Sequence, residues 1–217
     1  MVQRRWLMLA VLTAGLVGSA IVARRRPFSA RLAWFLTLPG VRAIGRVEEL
    51  AALLDVRPGM RVLDAGAGPG RLTLPLAERV GPEGTVTALD MQPRMLELVE
   101  QRAAARGLTN IDFLLAELGH GTLAAQKPAF YDRALLVHVL GETEDAGAAL
   151  RELAVALRPG GRLATVEHWG DPHFVREQRV RELAVAAGLE LATVRRSLWG
   201  HTTIWEKPVE SMTKGAA

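Results

Sequence analysis

The nine residues Val62–Gly70 read VLDAGAGPG. Two branched apolar residues lead into an acid, and glycines then recur at positions 66, 68 and 70. Such a stretch starts as a strand and breaks into a tight turn, because alternate glycines leave nothing for a sheet to pack. The pattern repeats along the chain. Strands are predicted over Arg61–Ala65, Thr85–Asp90, Ile111–Ala116, Asp132–Val139 and Arg162–Glu167. Helical periodicity fills Gly70–Val80, Pro93–Arg106, Thr143–Leu157 and a stretch from Pro172 to Gly188. Pro93 sits at a first turn, Gly107 at a stop, and Arg158–Gly161 reads as another stop. Asp171 is a candidate cap for the helix from Pro172. Glu190–Leu198 and His201–Glu206 alternate and read as a closing antiparallel pair. The prediction is an α/β fold: a doubly wound, seven-stranded, mostly parallel sheet with helices on both faces and a terminal antiparallel strand. Ligands in such sheets bind beyond the carboxyl ends of the strands.

The acid decides what the glycine turn can hold. A dinucleotide turn has the spacing G-x-G-x-x-G and aims a helix N-terminus at a pyrophosphate. Here Arg71 occupies the last glycine position, and Asp64 stands directly before the loop. A carboxylate there repels phosphate and suits a cation. S-adenosylmethionine fits, since it carries a sulfonium and an ammonium and no phosphate.

Four segments extend the argument: VRPGMRVLDAGAGPG (Val56–Gly70), VTALDMQPRML (Val86–Leu96), LLVHVLGE (Leu135–Glu142) and LRPGGRLATVEH (Leu157–His168). In order and spacing they resemble the motifs of class I S-adenosylmethionine-dependent methyltransferases, in the branch that resembles enzymes of ubiquinone and menaquinone biosynthesis. The resemblance runs over about Val47–Pro208 and implies a Rossmann-like fold. It implies that Asp64 orients the methionine part and that Gly66, Ala67, Gly68 and Gly70 let the backbone approach the ligand. Asp90 would accept the ribose hydroxyls, Met91 would pack on the adenine, and Glu117 would reach the adenine amino group. The segment after the third strand, LLAELGHG, departs from the acid-rich version usual in the family. His138 would line the cofactor site. The alternatives are plain local roles: a capping acid, turn glycines, a structural histidine.

Methyl transfer from a sulfonium needs positioning above all, and a base where the acceptor is an ammonium or a hydroxyl. Candidate catalytic residues at the strand ends are His138, Glu142, Glu167 and His168. No histidine–carboxylate cluster has metal-ligand spacing, so no metal is expected. The Asn/Asp-Pro-Pro-Tyr/Phe signature of methyltransferases acting on base nitrogens is absent, VHVL standing in its place. No interleaved aromatic and basic platform occurs in the body of the chain, so nucleic acid is not an expected partner.

The chain has 217 residues and no cysteine, which excludes disulfides and thiolate metal sites. Its net charge is +4, and six arginines with no acid lie between Arg24 and Arg46. Trp6–Ala23 is an 18-residue run without charge, preceded by Arg4 and Arg5 and followed by Arg24, Arg25 and Arg26. A helix of that length spans ~27 Å, close to a bilayer core of ~30 Å. The arginines after it disfavour a cleaved signal peptide, and the heavier positive flank places the rest of the chain in the cytoplasm. The expected organisation is a single-pass anchor over 1–27, an amphipathic basic lead-in over 28–46, a methyltransferase domain over 47–208 and a tail over 209–217. The lead-in suits an anionic lipid surface or a cover over the domain. Ala10, Ala14 and Gly18 recur every four residues and permit a homodimer through the anchor. The acceptor is left among a membrane lipid (a phospholipid amine or a quinone precursor), a soluble small molecule and a protein. An inactive cofactor-binding membrane scaffold is the reading from another class, and a dinucleotide-dependent reductase is opposed by Asp64 and Arg71.

Overall fold

A computed structural model describes residues 47–209. The expected anchor, the lead-in and the tail beyond Val209 lie outside the described residues. Among the described residues no helix is long and apolar enough to cross a membrane.

The order of elements follows the alternation in the sequence. Helix α1 (Val47–Leu53) precedes β1 (Arg61–Ala65), α2 (Thr73–Val80), β2 (Thr85–Asp90), α3 (Pro93–Ala104) and β3 (Ile111–Leu115). Then come α4 (Thr122–Gln126), β4 (Tyr131–Val137), a single 3₁₀ turn (Leu140–Glu142), α5 (Ala146–Ala156) and β5 (Leu157–His168). Helix α6 (Glu177–Ala186) leads to the closing strands β6 (Glu190–Ser197) and β7 (Gly200–Glu206). One seven-stranded sheet has the order β3-β2-β1-β4-β5-β7-β6. Strands β1 to β5 pair in parallel, whereas β7 inserts antiparallel between β5 and β6.

Helices cover both faces, so the central strands are buried on both and read as nearly continuous apolar runs. Val62 and Leu63 illustrate the two-residue period. Leu63 packs with Leu136, Leu150, Leu153 and Trp205, in the core that α5 closes. Val62 packs with Leu50, Leu54, Leu76 and Ile204, in the core that α1 and α2 close. Strand order reverses between β1 and β4, and β1 enters the glycine loop there.

Three boundaries differ from the sequence reading. The helix expected from Thr143 starts at Ala146, because Asp145 Oδ1 accepts the N–H groups of Gly147 and Ala148 and caps it there. The helix expected from Pro172 starts at Glu177. Asp171 does not cap it; its carboxylate accepts the His173 N–H at 2.7 Å, and a turn intervenes. Arg158–Gly161, expected as a stop, lies within β5 as an irregularity where the register with β4 shifts. Gly160 N–H donates to Lys207 O, and Lys207 N–H donates to Gly161 O, so the β7 end absorbs the excursion.

One buried acid supports a wall of the future site. Glu152 on α5 is 5% exposed. Its oxygens accept N–H groups of Gly119 (2.6 Å), Leu123 (2.7 Å) and Ala124 (3.3 Å). These donors belong to the loop after β3 and the first turn of α4, whose own start has no side-chain cap. Glu152→Ala strands buried donors and is expected to cost about 2–4 kcal/mol of stability in urea unfolding. Glu152→Gln, which keeps one acceptor oxygen, is expected to lose less.

Candidate active site

A pocket opens at the carboxyl ends of β1, β2 and β4. Its floor is the glycine loop. Gly66 and Ala67 donate their N–H groups to Leu89 O at 2.8 and 2.9 Å, which stitches the loop to the last turn of β2. Gly66 has φ +78°, and a Cβ there would lie 2.3 Å from Val139 Cγ2. Gly68 has φ +51°, and a Cβ there would meet nothing within 4 Å. The loop thus has backbone approach on the pocket side and tight packing behind it. Gly70 does not line the pocket; its Cβ position lies 3.2 Å from Val99, so its part is close packing of the loop on α3.

Two acids face this loop. Asp64 is buried, and its Oδ2 accepts the Thr73 hydroxyl at 2.6 Å. Burial pushes its carboxyl up to about 6, against the pull of the Thr73 hydrogen bond and the Arg71 guanidinium. Asp90 accepts Gly68 N–H on Oδ2 at 2.8 Å and Gln92 N–H on Oδ1 at 2.9 Å. Burial raises its pKa as well, opposed by those backbone donors. Each Asp90 oxygen keeps a second lone pair for a ligand. Met91, 42% exposed, stands at the pocket edge beside Asp90, and Glu117 contributes to the wall after β3.

The opposite wall begins at His138. Its φ of +59° is the left-handed region, which costs energy for a residue with a Cβ. The turn is held by its N–H donating to Val166 O at 3.0 Å. The ring lines the pocket, and its Nε2 lies 2.6 Å from His168 Nδ1. One nitrogen donates and the other accepts. Burial, then His168, then Arg71 push the His138 pKa down to about 4, and burial lowers that of His168. Both rings are therefore neutral at pH 7, and His168 backs His138 without lining the pocket.

Glu167, grouped with them from the sequence, does not line the pocket. It is 1% exposed, and Oε2 accepts the Val175 N–H at 3.1 Å. Burial pushes its carboxyl up to about 8. Across the strand pair, His201 Nε2 holds the Val175 carbonyl at 2.9 Å. Glu167 and His201 thus clamp the backbone of Val175 from both sides, in the segment before α6.

Glu142, a catalytic candidate from the sequence, lines the pocket, and the same wall holds residues that the sequence did not single out as site residues. Asp171 and Thr143 line the pocket, with Glu142 beside them. Glu142 and Asp171 flank His173, whose Nδ1 lies 3.8 and 3.5 Å from their carboxylates. Gly141 makes this approach possible, since a Cβ there would collide with His173 O at 1.7 Å. Arg71 also lines the pocket and is pulled to lower pKa by burial. At the rim the fold gathers Glu117, His120 and Glu144, with ligand atoms within 4.8 Å of one another, a group that sequence spacing did not reveal. His120 and Glu144 are exposed.

Gly66→Ala adds a methyl against Val139 at a backbone angle that disfavours it. It is expected to lower the melting temperature and to remove the stabilisation that S-adenosylmethionine gives, both read by thermal unfolding with and without the ligand. Pairing it with Val139→Ala relieves the collision and leaves the backbone strain, so recovery is expected to be partial.

The chain was compared with known proteins on this basis. Residues 57–215 match the family model described as "Methyltransferase domain". A protein-L-isoaspartate O-methyltransferase of Methanothrix thermoacetophila is 35% identical over 117 residues, 54% of this chain and 51% of that protein. A demethylmenaquinone methyltransferase of Geobacillus kaustophilus is 33% identical over 123 residues, 55% of this chain and 50% of that protein. The chain spans about half the length of the curated relatives it matches. A crystal structure of a SAM-dependent methyltransferase from Aquifex aeolicus superposes with a TM-score of 0.76 at 21% identity, over 83% of this chain and 100% of that one, which shows the shared fold. With a family match over most of its length and the loop and acids that a sulfonium cofactor requires, the chain belongs to the class I S-adenosylmethionine-dependent methyltransferases.

Proposed function

We propose that this methyltransferase is held at the cytoplasmic face of the cell membrane and methylates a proton-bearing lipid acceptor, a phospholipid amine or a quinone precursor. The observation that carries the base-assisted reading is the His138–His168 pair. A strained backbone turn puts a neutral imidazole on the wall of the pocket that Asp64 and Asp90 also line. The membrane part rests on the uncharged run Trp6–Ala23 between arginines. A relative named for demethylmenaquinone supports the quinone option.

The residues present fit the cofactor. Gly68 leaves open space where any other side chain would project, and a buried acid stands where a positive group is expected. When bound, S-adenosylmethionine supplies an electrophilic methyl on sulfur. Asp64 is the residue to orient the ammonium end, Asp90 to accept ribose hydroxyls, Met91 to cover the adenine, and Glu117 to meet its amino group. His138 takes the proton that the acceptor loses, and His168 receives or supports the charge through the 2.6 Å contact. Glu167 acts at a distance, by fixing the segment that presents Asp171.

Asp64 sets a pH dependence. Its carboxyl titrates near 6 in the free protein, so the negative form that attracts a cation dominates above that value and is lost below it. Cofactor affinity is expected to fall as pH drops from 7.5 to 5. Asp64→Asn is expected to bind weakly at both values, as calorimetry would show.

The test of function uses the full chain, S-adenosylmethionine labelled on the methyl, and a membrane lipid extract, followed by partition into organic solvent. Label in the organic phase is expected. It should vanish with Asp90→Ala and drop with His138→Gln while cofactor binding by the latter persists. Label found only with soluble acceptors would remove the lipid reading.

A further inference from the structure

Three large apolar side chains stand exposed at one corner of the molecule. Trp169 is 70% exposed, Leu198 90% and Trp199 73%. They come from two elements. Trp169 follows directly on β5, and Leu198 and Trp199 form the β6–β7 turn. The arrangement is fixed by the backbone: Trp169 N–H donates to Trp199 O at 2.9 Å, and Trp199 N–H donates to Ser197 Oγ at 3.2 Å. The Phe174 ring braces Trp169 from behind at 6.1 Å. Because β7 runs antiparallel to β5, its first residues lie at the carboxyl end of β5. The corner therefore lies at the end of the sheet where the pocket opens, and Asp171, two residues after Trp169, lines that pocket.

We propose that Trp169, Leu198 and Trp199 form a docking surface for the lipid–water interface of a bilayer, which turns the pocket mouth toward the membrane. The inference rests on the membrane reading above and is independent of which acceptor is methylated. Indole rings favour the headgroup level, where an apolar body and a polar N–H are both satisfied. Charge agrees with that occupant. From Leu191 to Trp205 the hairpin carries no acid, and Arg195 and Arg196 stand just before the apolar tip. Arg195 is exposed, and Arg196 is held by Glu177 at 2.6 Å. Cations next to tryptophans suit an anionic leaflet. Chain length agrees as well. Residues 24–46, which link the uncharged run to α1, reach as far as ~80 Å, enough for this corner to meet a bilayer that holds that run. Apolar patches on a monomer surface commonly mark an interaction site.

The chain has no cysteine, so Leu198→Cys gives a single thiol for an environment-sensitive fluorophore. Val155→Cys gives the control: it is 47% exposed near the end of α5, two residues before β5 starts, and so lies at the end of the sheet away from the pocket. The labelled full-length proteins are mixed with vesicles of phosphatidylcholine and phosphatidylglycerol, with and without a doxyl-labelled phosphatidylcholine. Flotation of the vesicles reports attachment, and emission reports depth. The expected result is flotation of both proteins, with a blue shift and doxyl quenching at position 198 and neither at 155. Flotation with position 198 still in a water-like environment overturns the docking surface and leaves the anchor standing. A blue shift at 198 before vesicles are added shows that the chain itself or a second copy covers the corner, and also overturns it. Failure of either protein to float removes the membrane reading and the docking surface together.

Discussion

Two carboxylates buried at the ends of neighbouring parallel strands organise the rest of the pocket. Asp64 pairs in register with Ala88, and Asp90 closes the same strand two residues later. Burial of charge in a protein interior is costly unless hydrogen bonds compensate. The fold meets that demand with local donors. Thr73 on α2 serves Asp64, while the N–H groups of Gly68 and Gln92 serve Asp90. Those donors in turn fix the loop, since Gly68 can reach Asp90 only in its left-handed turn. The glycine turn and the acids therefore specify each other. The remaining imbalance, visible in raised pKa values, is what a cationic ligand relieves.

The other wall uses the opposite strategy. His138 and His168 are kept neutral by burial and by the positive Arg71 nearby. Neutral rings 2.6 Å apart can accept one proton and share it. A carboxylate in contact with these rings would raise their pKa. Asp171 pulls His168 upward but is outweighed by burial and Arg71, and its carboxylate, like that of Glu142, lies against His173, while Glu167 holds the Val175 N–H. The pocket thus separates its charges: acids beneath the glycine loop, neutral bases at the end of β4 and β5.

What could be read from the sequence was local or periodic. Strand β1 and its glycine turn are contiguous, and β2 announces Asp90 by ending there, so both acids were found from the order of residues alone. The alternation also gave the seven strands and the closing antiparallel arrangement. Contacts between distant segments were not legible. Glu152 looks like an ordinary helix acid, yet it supports a loop some thirty residues upstream. Asp171 looks like a helix cap because Pro172 follows, but the Val175 clamp keeps that stretch out of the helix. Glu167 is adjacent to His168 and was grouped with it, whereas strand alternation sends neighbouring side chains to opposite faces. Gly141 carried a usable signal: a glycine in the 3₁₀ turn just past His138 permits the close approach of another segment.

The placement of the exposed tryptophans follows from topology, Trp169 because it leaves the carboxyl end of β5 and Trp199 because the β6–β7 turn lies beside that end. In a sheet closed by an antiparallel strand, the β6–β7 turn necessarily returns to the carboxyl end, the end where parallel strands deliver their ligand site. A side chain at that turn is therefore beside the pocket mouth whatever its identity, and Leu198 and Trp199 there are the most exposed large apolar residues among the described ones. Residues at the far edge serve a different demand. Strand β3 is an open edge that carries Asp112 at its second position, a charge that discourages pairing with another chain, beside the exposed Phe113 and Leu115. The two sheet edges thus differ: β3 sets one acid among exposed apolar residues, whereas the β6–β7 corner joins two exposed indoles to a turn that follows Arg195 and Arg196. On the membrane reading proposed above, the aromatic corner would give the domain a direction relative to the bilayer, so that a lipid acceptor could enter the pocket without crossing water.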